Sequence, residues 1–189
     1  MLLSLISPQK NVEKFAIKFK KNLEWIAKYT NKIELIIVDD NSSDNTWRLL
    51  NKIFSNFVNV SIIKNNGNGK IDALNFGFSK AKGKYVRFID GDDFLLEEAF
   101  NSALVAKEMD ADAYSSSFEI KVNKKSYPVL SKFLRINIFD INTFYSPPRW
   151  NWTLKKSFVS TFFPIPSVLP FEDLYIAIIV SQTAKKIIA

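Results

Sequence analysis

The chain has 189 residues, of which 47% are hydrophobic, 14% aromatic and 24% charged. These are globular proportions that exclude a disordered or collagen-like chain and suffice for one full-sized domain. It contains no cysteine and no histidine, which excludes disulfide scaffolds, thiol nucleophiles, histidine metal sites and the Ser-His-Asp triad. The formal net charge of +7 lies in the last third: residues 1–119 carry 16 basic and 16 acidic side chains, residues 120–189 carry 10 and three.

Leu2–Ile6 is a short apolar run that ends before Pro8. From Val12 the apolar residues Phe15, Ala16, Phe19, Leu23 and Ile26 keep helical spacing, with Asn11 as the expected N-cap. Lys32–Val38 reads as a buried strand ending in Asp39-Asp40. Ser43 is the expected cap of a second helix bearing Trp47, Leu50, Ile53 and Phe54. Val58–Ile63 reads as a strand, and Asp72–Lys82 as a helix opened by Gly67 and Gly69, with Gly83 as its C′ residue. Tyr85–Ile89 is a fourth strand, Leu96–Met109 a fourth helix and Ala113–Val122 a further extended run. This alternation predicts an α/β fold, a mainly parallel sheet with helices on both faces. Ligands of such sheets bind beyond the carboxyl ends of the strands, where both Asp39-Asp40 and the Asp90–Asp93 cluster fall. After residue 122 prolines break the pattern. Phe158–Phe171 is apolar but proline-studded and cannot be one regular helix, and a last helix is expected from near Pro170 through Tyr175, Ile178 and Ile179.

No apolar stretch reaches the roughly 20 residues of a membrane span. Met1–Pro8 lacks the basic region and long apolar core of a signal peptide, so a cytoplasmic location is expected. The basic last third suggests an anionic partner or a solvated face. One expectation is peripheral contact with the inner membrane surface, with Lys155 and Lys156 contributing.

Four segments carry candidate chemistry. Asp90-Gly-Asp92-Asp93 places three carboxylates within four residues, which repel one another unless a cation neutralises them. Oxygen donors suit Mg²⁺ or Mn²⁺, usually with phosphate oxygens completing the shell. The same residues could form an Asx turn with helix caps ahead of Leu95. Asp39-Asp40 could accept hydrogen bonds from a ribose or a base, or cap the next helix. Glu172-Asp173 sits at an expected helix start, where negative charge is favoured whether or not it acts as a base. Gly67-Asn-Gly69-Lys70 fits neither the dinucleotide fingerprint nor the Walker loop.

In combination these segments, with Pro8-x-x-Asn11, Gly69-Lys-x-x-Ala73-Leu-Asn75-x-Gly77 and Phe171-Glu-Asp173, resemble the family 2 glycosyltransferases of the GT-A fold from Pro8 to Asp173. The resemblance implies an inverting, metal-dependent hexosyl- or N-acetylhexosaminyl-transferase, one domain over 1–189. Residues 1–119 would bind the nucleotide sugar, most often a UDP-sugar, and residues 120–189 would form the acceptor side. It implies Pro8, Asp39, Asp40, Lys70, Asp90 and Asp92 as nucleotide-sugar contacts, Asp92 and Asp93 as ligands of Mn²⁺ or Mg²⁺, and Asp173 as general base with Glu172 beside it. The implied acceptor is a glycan or lipid-linked glycan of a surface polysaccharide, and no nucleic acid is implied. Lys10 stands where the family often has an aromatic residue, and Leu74 where it often has an arginine. No Gln-x-x-Arg-Trp follows the acidic pair, which speaks against a processive polymerase. The chain ends 189 − 173 = 16 residues after Asp173, where relatives usually continue. The competing expectations are a sugar nucleotidyltransferase and a non-catalytic or impaired binding domain.

Overall fold

The computed structural model describes residues 1–116, 118–122, 125–129 and 151–188, the two middle stretches as backbone strands only. β1 (Leu3–Gln9), β2 (Ile33–Asp39), β3 (Val60–Lys64) and β4 (Tyr85–Phe88) run parallel in the order β3-β2-β1-β4. Between them lie α1 (Ala16–Leu23), which continues as a 3₁₀ helix over Glu24–Tyr29, then α2 (Thr46–Ile53) and α3 (Gly69–Lys80). α4 (Glu98–Glu108) leads to β5 (Ala113–Ser115), and β6 (Phe118–Val122) pairs with β7 (Lys125–Val129) as a separate antiparallel ribbon. β8 (Trp152–Lys155), α5 (Lys156–Val159), α6 (Glu172–Thr183) and β9 (Ile187–Ile188) complete the described chain.

Among the described residues the central sheet has seven strands, β3-β2-β1-β4-β8-β5-β9. β8 enters antiparallel between β4 and β5. The extended run expected over Ala113–Val122 is therefore two strands in two sheets, and β5 does not lie beside β4. Strand alternation sorts the core into two layers. Leu3, Leu5, Ile33, Leu35 and Ile37 face α1, α2 and α4. Ile6, Ile36, Val38, Val86 and Phe88 face α3, α5 and α6. Each of these side chains is at most 2% exposed, and each contributes roughly 1.5–3 kcal/mol by leaving water. Gly77 lets α3 lie close on the second layer, because a Cβ there would stand 2.6 Å from Cγ2 of Ile6.

Three punctuation readings need correction. Asn11 does not cap α1, which begins at Ala16. It has a positive φ of 52° and its Oδ1 accepts from the Ser43 amide at 2.9 Å. Ser43 does not cap α2 either. It belongs to a lattice between the first two rim loops, in which Asn11 N donates to Ser42 Oγ and Val12 N to Thr46 Oγ1. Gly83 is required by a close approach and not as a left-handed C′ residue, since a Cβ would lie 2.5 Å from the Ser4 amide nitrogen. Local sequence suggested caps because the same side chains serve caps and long-range loop contacts equally well.

Candidate functional site

The carboxyl ends of β1, β2 and β4 form one rim, with Pro8 in register with Val38 and Gln9 with Asp39. Asp39 is 1% exposed, and neither of its carboxylate oxygens has a hydrogen-bond partner among the described residues. Burying a carboxylate without donors is unfavourable by several kcal/mol. The position therefore asks for a donor beyond the described residues. Asp40, next to it and 3% exposed, is the opposite case. It accepts from Asn65 Nδ2 at 2.7 Å, from the Gly69 amide at 2.9 Å and from Lys10 Nζ at 3.1 Å. Asp40 thus ties β2 to the start of α3, where Gly69 adopts a φ of +86° that favours glycine.

The acidic turn after β4 folds back on itself. The Asp90 amide donates to Asp93 Oδ2 at 3.2 Å, and the Asp93 amide to the Asp90 carbonyl at 3.2 Å. Asp92 is exposed and makes no hydrogen bond or ion pair among the described residues. Gly91 packs against the Gln9 carboxamide, where any Cβ would overlap the side-chain oxygen. Among the described residues no three acidic side chains gather around a single point that could hold a metal. The expected repulsion is relieved in part by protein cations. Lys70 Nζ reaches Asp90 at 3.3 Å. Arg87 is 3% exposed and its guanidinium acts electrostatically on Asp93, while burial pulls its own pKa down to about 10. A divalent cation still fits the donor set: hard carboxylate oxygens of Asp92 and Asp93 suit Mg²⁺ or Mn²⁺, provided a diphosphate and water fill the remaining positions.

Lys70 does more than neutralise Asp90. Its ammonium also pairs with Glu172 Oε1 at 3.0 Å. One lysine on the first turn of α3 therefore joins the turn after β4 to the first turn of α6, and so brings Asp90, Glu172 and the neighbouring Asp173 to one rim. α3 also holds the segment that leads into α6. Asn75 exchanges two hydrogen bonds with Ile165, Nδ2 to the carbonyl and the Ile165 amide to Oδ1, both at 2.8 Å. Ser167 Oγ donates to Asp72. That bond, with a second from the Asn68 amide, holds the Asp72 carboxyl below the usual carboxylate range. The proline-rich strap over 160–171 is thus fixed along α3 and not free.

Sequence reading missed Asn65, Asn75 and Gln9. Asn75 stood in a quoted motif, but no local signal shows that its partner lies 90 residues away. The structure gives no support to the membrane contact expected of Lys155 and Lys156. Lys155 is in register with Tyr85, the first residue of β4, so both lysines lie at the sheet edge opposite the acidic rim. Lys155 pairs with Asp110 at 2.8 Å and Lys156 donates to the Ala81 carbonyl. No helix among the described residues is long and apolar enough to cross a membrane.

A parallel 3-2-1-4 strand order with carboxylates at the strand ends is a doubly wound α/β arrangement, which binds ligands at that rim, and its match to solved transferase structures makes it the GT-A fold. Residues 4–164 match the sequence pattern of glycosyl transferase family 2, and the chain belongs to that family. The matched span ends before Glu172 and Asp173. Among relatives, the UDP-Glc:alpha-D-GlcNAc-diphosphoundecaprenol beta-1,3-glucosyltransferase WfaP of Escherichia coli is 31% identical over 121 residues, covering 64% of this chain and 42% of that protein. The poly(ribitol-phosphate) beta-N-acetylglucosaminyltransferase TarS of Staphylococcus aureus is 30% identical over 105 residues, covering 54% of this chain and 18% of that one. The crystal structure of TarS 1-349 with UDP superposes on 99% of this chain and 57% of its own, with a TM-score of 0.79 at 22% identity. A mannosyltransferase from Pyrobaculum calidifontis, solved with GDP-Man and Mn²⁺, gives 0.75 at 17% over 99% and 54%. These structural likenesses establish the fold. The chain spans less than half the length of the curated relatives cited here.

Proposed function

We propose that the protein transfers a hexosyl or N-acetylhexosaminyl group, with inversion, from a UDP-sugar to a glycan or lipid-linked glycan acceptor of a surface polysaccharide. The observation that carries this reading is the Lys70 bridge, which sets the turn after β4 and the first turn of α6 on one rim. A donor sugar needs binding groups on one side of its anomeric carbon and a base on the other, and the bridge supports such an arrangement by bringing the two segments near each other. The UDP-sugar named for the E. coli relative and the UDP complex of TarS support the choice of nucleotide.

In this reading Asp39 supplies the unmet acceptor pair for a base N–H. Asp40 acts one step back, by fixing Lys10 and the α3 start around the nucleotide. Pro8 lines the floor beside Asp39. Lys70 and Asp90 face the diphosphate and sugar, and Asp92 with Asp93 would hold the divalent cation. Bound there, Mn²⁺ or Mg²⁺ would offset charge on the diphosphate. Asp173 accepts the proton of the acceptor hydroxyl as its oxygen bonds to the anomeric carbon. The bond from that carbon to the diphosphate breaks, and UDP leaves with the electron pair. Glu172, neutralised by Lys70, keeps the α6 start in place.

The test is a panel of UDP-sugars with Mn²⁺ and mixed glycan acceptors, followed by UDP release. Wild-type protein is expected to release UDP from at least one donor. Asp173→Asn should lower that rate by about 10²-fold or more, as loss of a general base does, while UDP binding stays within about twofold. Release that is unchanged in Asp173→Asn would overturn the assignment of the base.

A further inference from the structure

The chain after the acidic turn has no regular secondary structure over 93–96, so its carbonyls must find partners elsewhere. They find them on one stripe of α1 and its 3₁₀ continuation. Asn22 Nδ2 donates to the Asp93 carbonyl at 2.9 Å and Trp25 Nε1 to the Leu95 carbonyl at 3.1 Å. Lys28 Nζ and Tyr29 Oη donate to the Glu97 carboxylate at 2.9 and 2.8 Å. Every third helix residue thus grips every second residue of the loop. A 3₁₀ helix has three residues per turn, so Trp25 and Lys28 lie on one line of it.

Two further observations separate this stripe from ordinary packing. Asn22 is 6% exposed, and its Oδ1 has no partner among the described residues. A buried polar atom left unmet is unfavourable by about 1–3 kcal/mol, so Oδ1 offsets part of what the bond from Nδ2 contributes to stability. Beside Asn22 a small cleft, lined also by Phe15, Lys18, Asp92 and Phe94, separates the tip of the turn from α1. On the side facing α1, Asn22 reaches the Asp93 carbonyl across this cleft. Farther along, Tyr29 packs on Phe100 with ring centroids 4.4 Å apart, and the donors on Glu97 hold its carboxyl below the ordinary range.

We propose that Asn22, Trp25 and Tyr29 are positioning residues that set the Asp92-Asp93 turn for the nucleotide and its cation. The proposal rests on the transferase reading for what the turn binds, while the mechanical claim stands on the hydrogen bonds alone. Asn22→Leu and Trp25→Phe remove one donor each and keep apolar volume.

Two measurements test it on the full chain. The first is amide hydrogen exchange over 90–95 without ligand. Each variant is expected to speed exchange there by roughly fivefold per bond lost, while the melting temperature of Asn22→Leu changes little, because the loss of the unmet Oδ1 offsets the Asp93 carbonyl left without its donor. The second is calorimetry with UDP and Mn²⁺. Both variants are expected to bind UDP with Mn²⁺ at least fivefold more weakly than wild type, with a smaller change for UDP alone. Unchanged exchange over 90–95 in the double variant overturns the mechanical claim whatever the nucleotide result. Faster exchange with wild-type affinity for UDP and Mn²⁺ overturns the positioning role. Wild-type protein that binds no UDP would instead count against the transferase reading, leaving the exchange result to decide the clamp.

Discussion

Asp39 and Asp40 are adjacent, both are buried, and their chemistry differs because their partners do. Asp40 is saturated by Lys10, Asn65 and Gly69. Asp39 is left without a donor among the described residues. A residue retained against its own folding cost is a candidate for ligand binding, and the two effects should separate on substitution. Asp39→Asn removes a buried charge and should raise stability by about 1–2 kcal/mol, while UDP affinity falls by at least tenfold. Thermal denaturation and titration calorimetry on the same preparation check both signs. A variant that is both less stable and unchanged in affinity would show that Asp39 has a structural partner. The sequence made these carboxylates visible because they follow apolar strand runs. It could not rank them. The lysine, the asparagine and the glycine amide that distinguish Asp40 from Asp39 come from two other loops, 25 to 30 residues away.

The strands and helices of the first two-thirds were legible from periodicity, since each buries a face that its own residues define. β8 was not. Its four residues acquire strand identity only by lying between β4 and β5, and nothing local encodes that insertion. α6 was legible from its acidic start and apolar run, but the way it is held was not. Its position depends on α3, through Asn75, Asp72 and Lys70. Asn75→Ala breaks two hydrogen bonds to Ile165 and should cost about 1–3 kcal/mol of stability. It should also lower kcat by about tenfold or more at saturating donor, because a 1 Å misplacement of a reacting group is that expensive, with little effect on UDP affinity. Steady-state kinetics and UDP calorimetry read the two separately. An equal loss in both would mean that the strap supports the nucleotide side and not the α6 side.

At the scale of the whole molecule, charge and sheet direction are decoupled. The acidic groups collect at the carboxyl ends of β2 and β4, whereas Lys155 and Lys156 fall at the opposite edge, where Asp110 and the Ala81 carbonyl hold them. Composition located the positive excess in the chain but not in space, since an antiparallel insertion reverses which edge a residue reaches. Among the described residues the cations that act on the rim carboxylates include Lys10, Lys70 and Arg87, all from the charge-balanced part of the sequence. The central claim is that this rim is a metal-assisted nucleotide site with the base on a separate element. Its most direct test is calorimetric titration of UDP, with and without Mn²⁺, into wild type, Asp93→Asn and Asp173→Asn. Saturable binding to wild type that strengthens with Mn²⁺ is expected, with loss of most of that metal effect in Asp93→Asn and near wild-type binding in Asp173→Asn. Equal losses in the two variants, or Mn²⁺-independent binding in all three proteins, would contradict that claim.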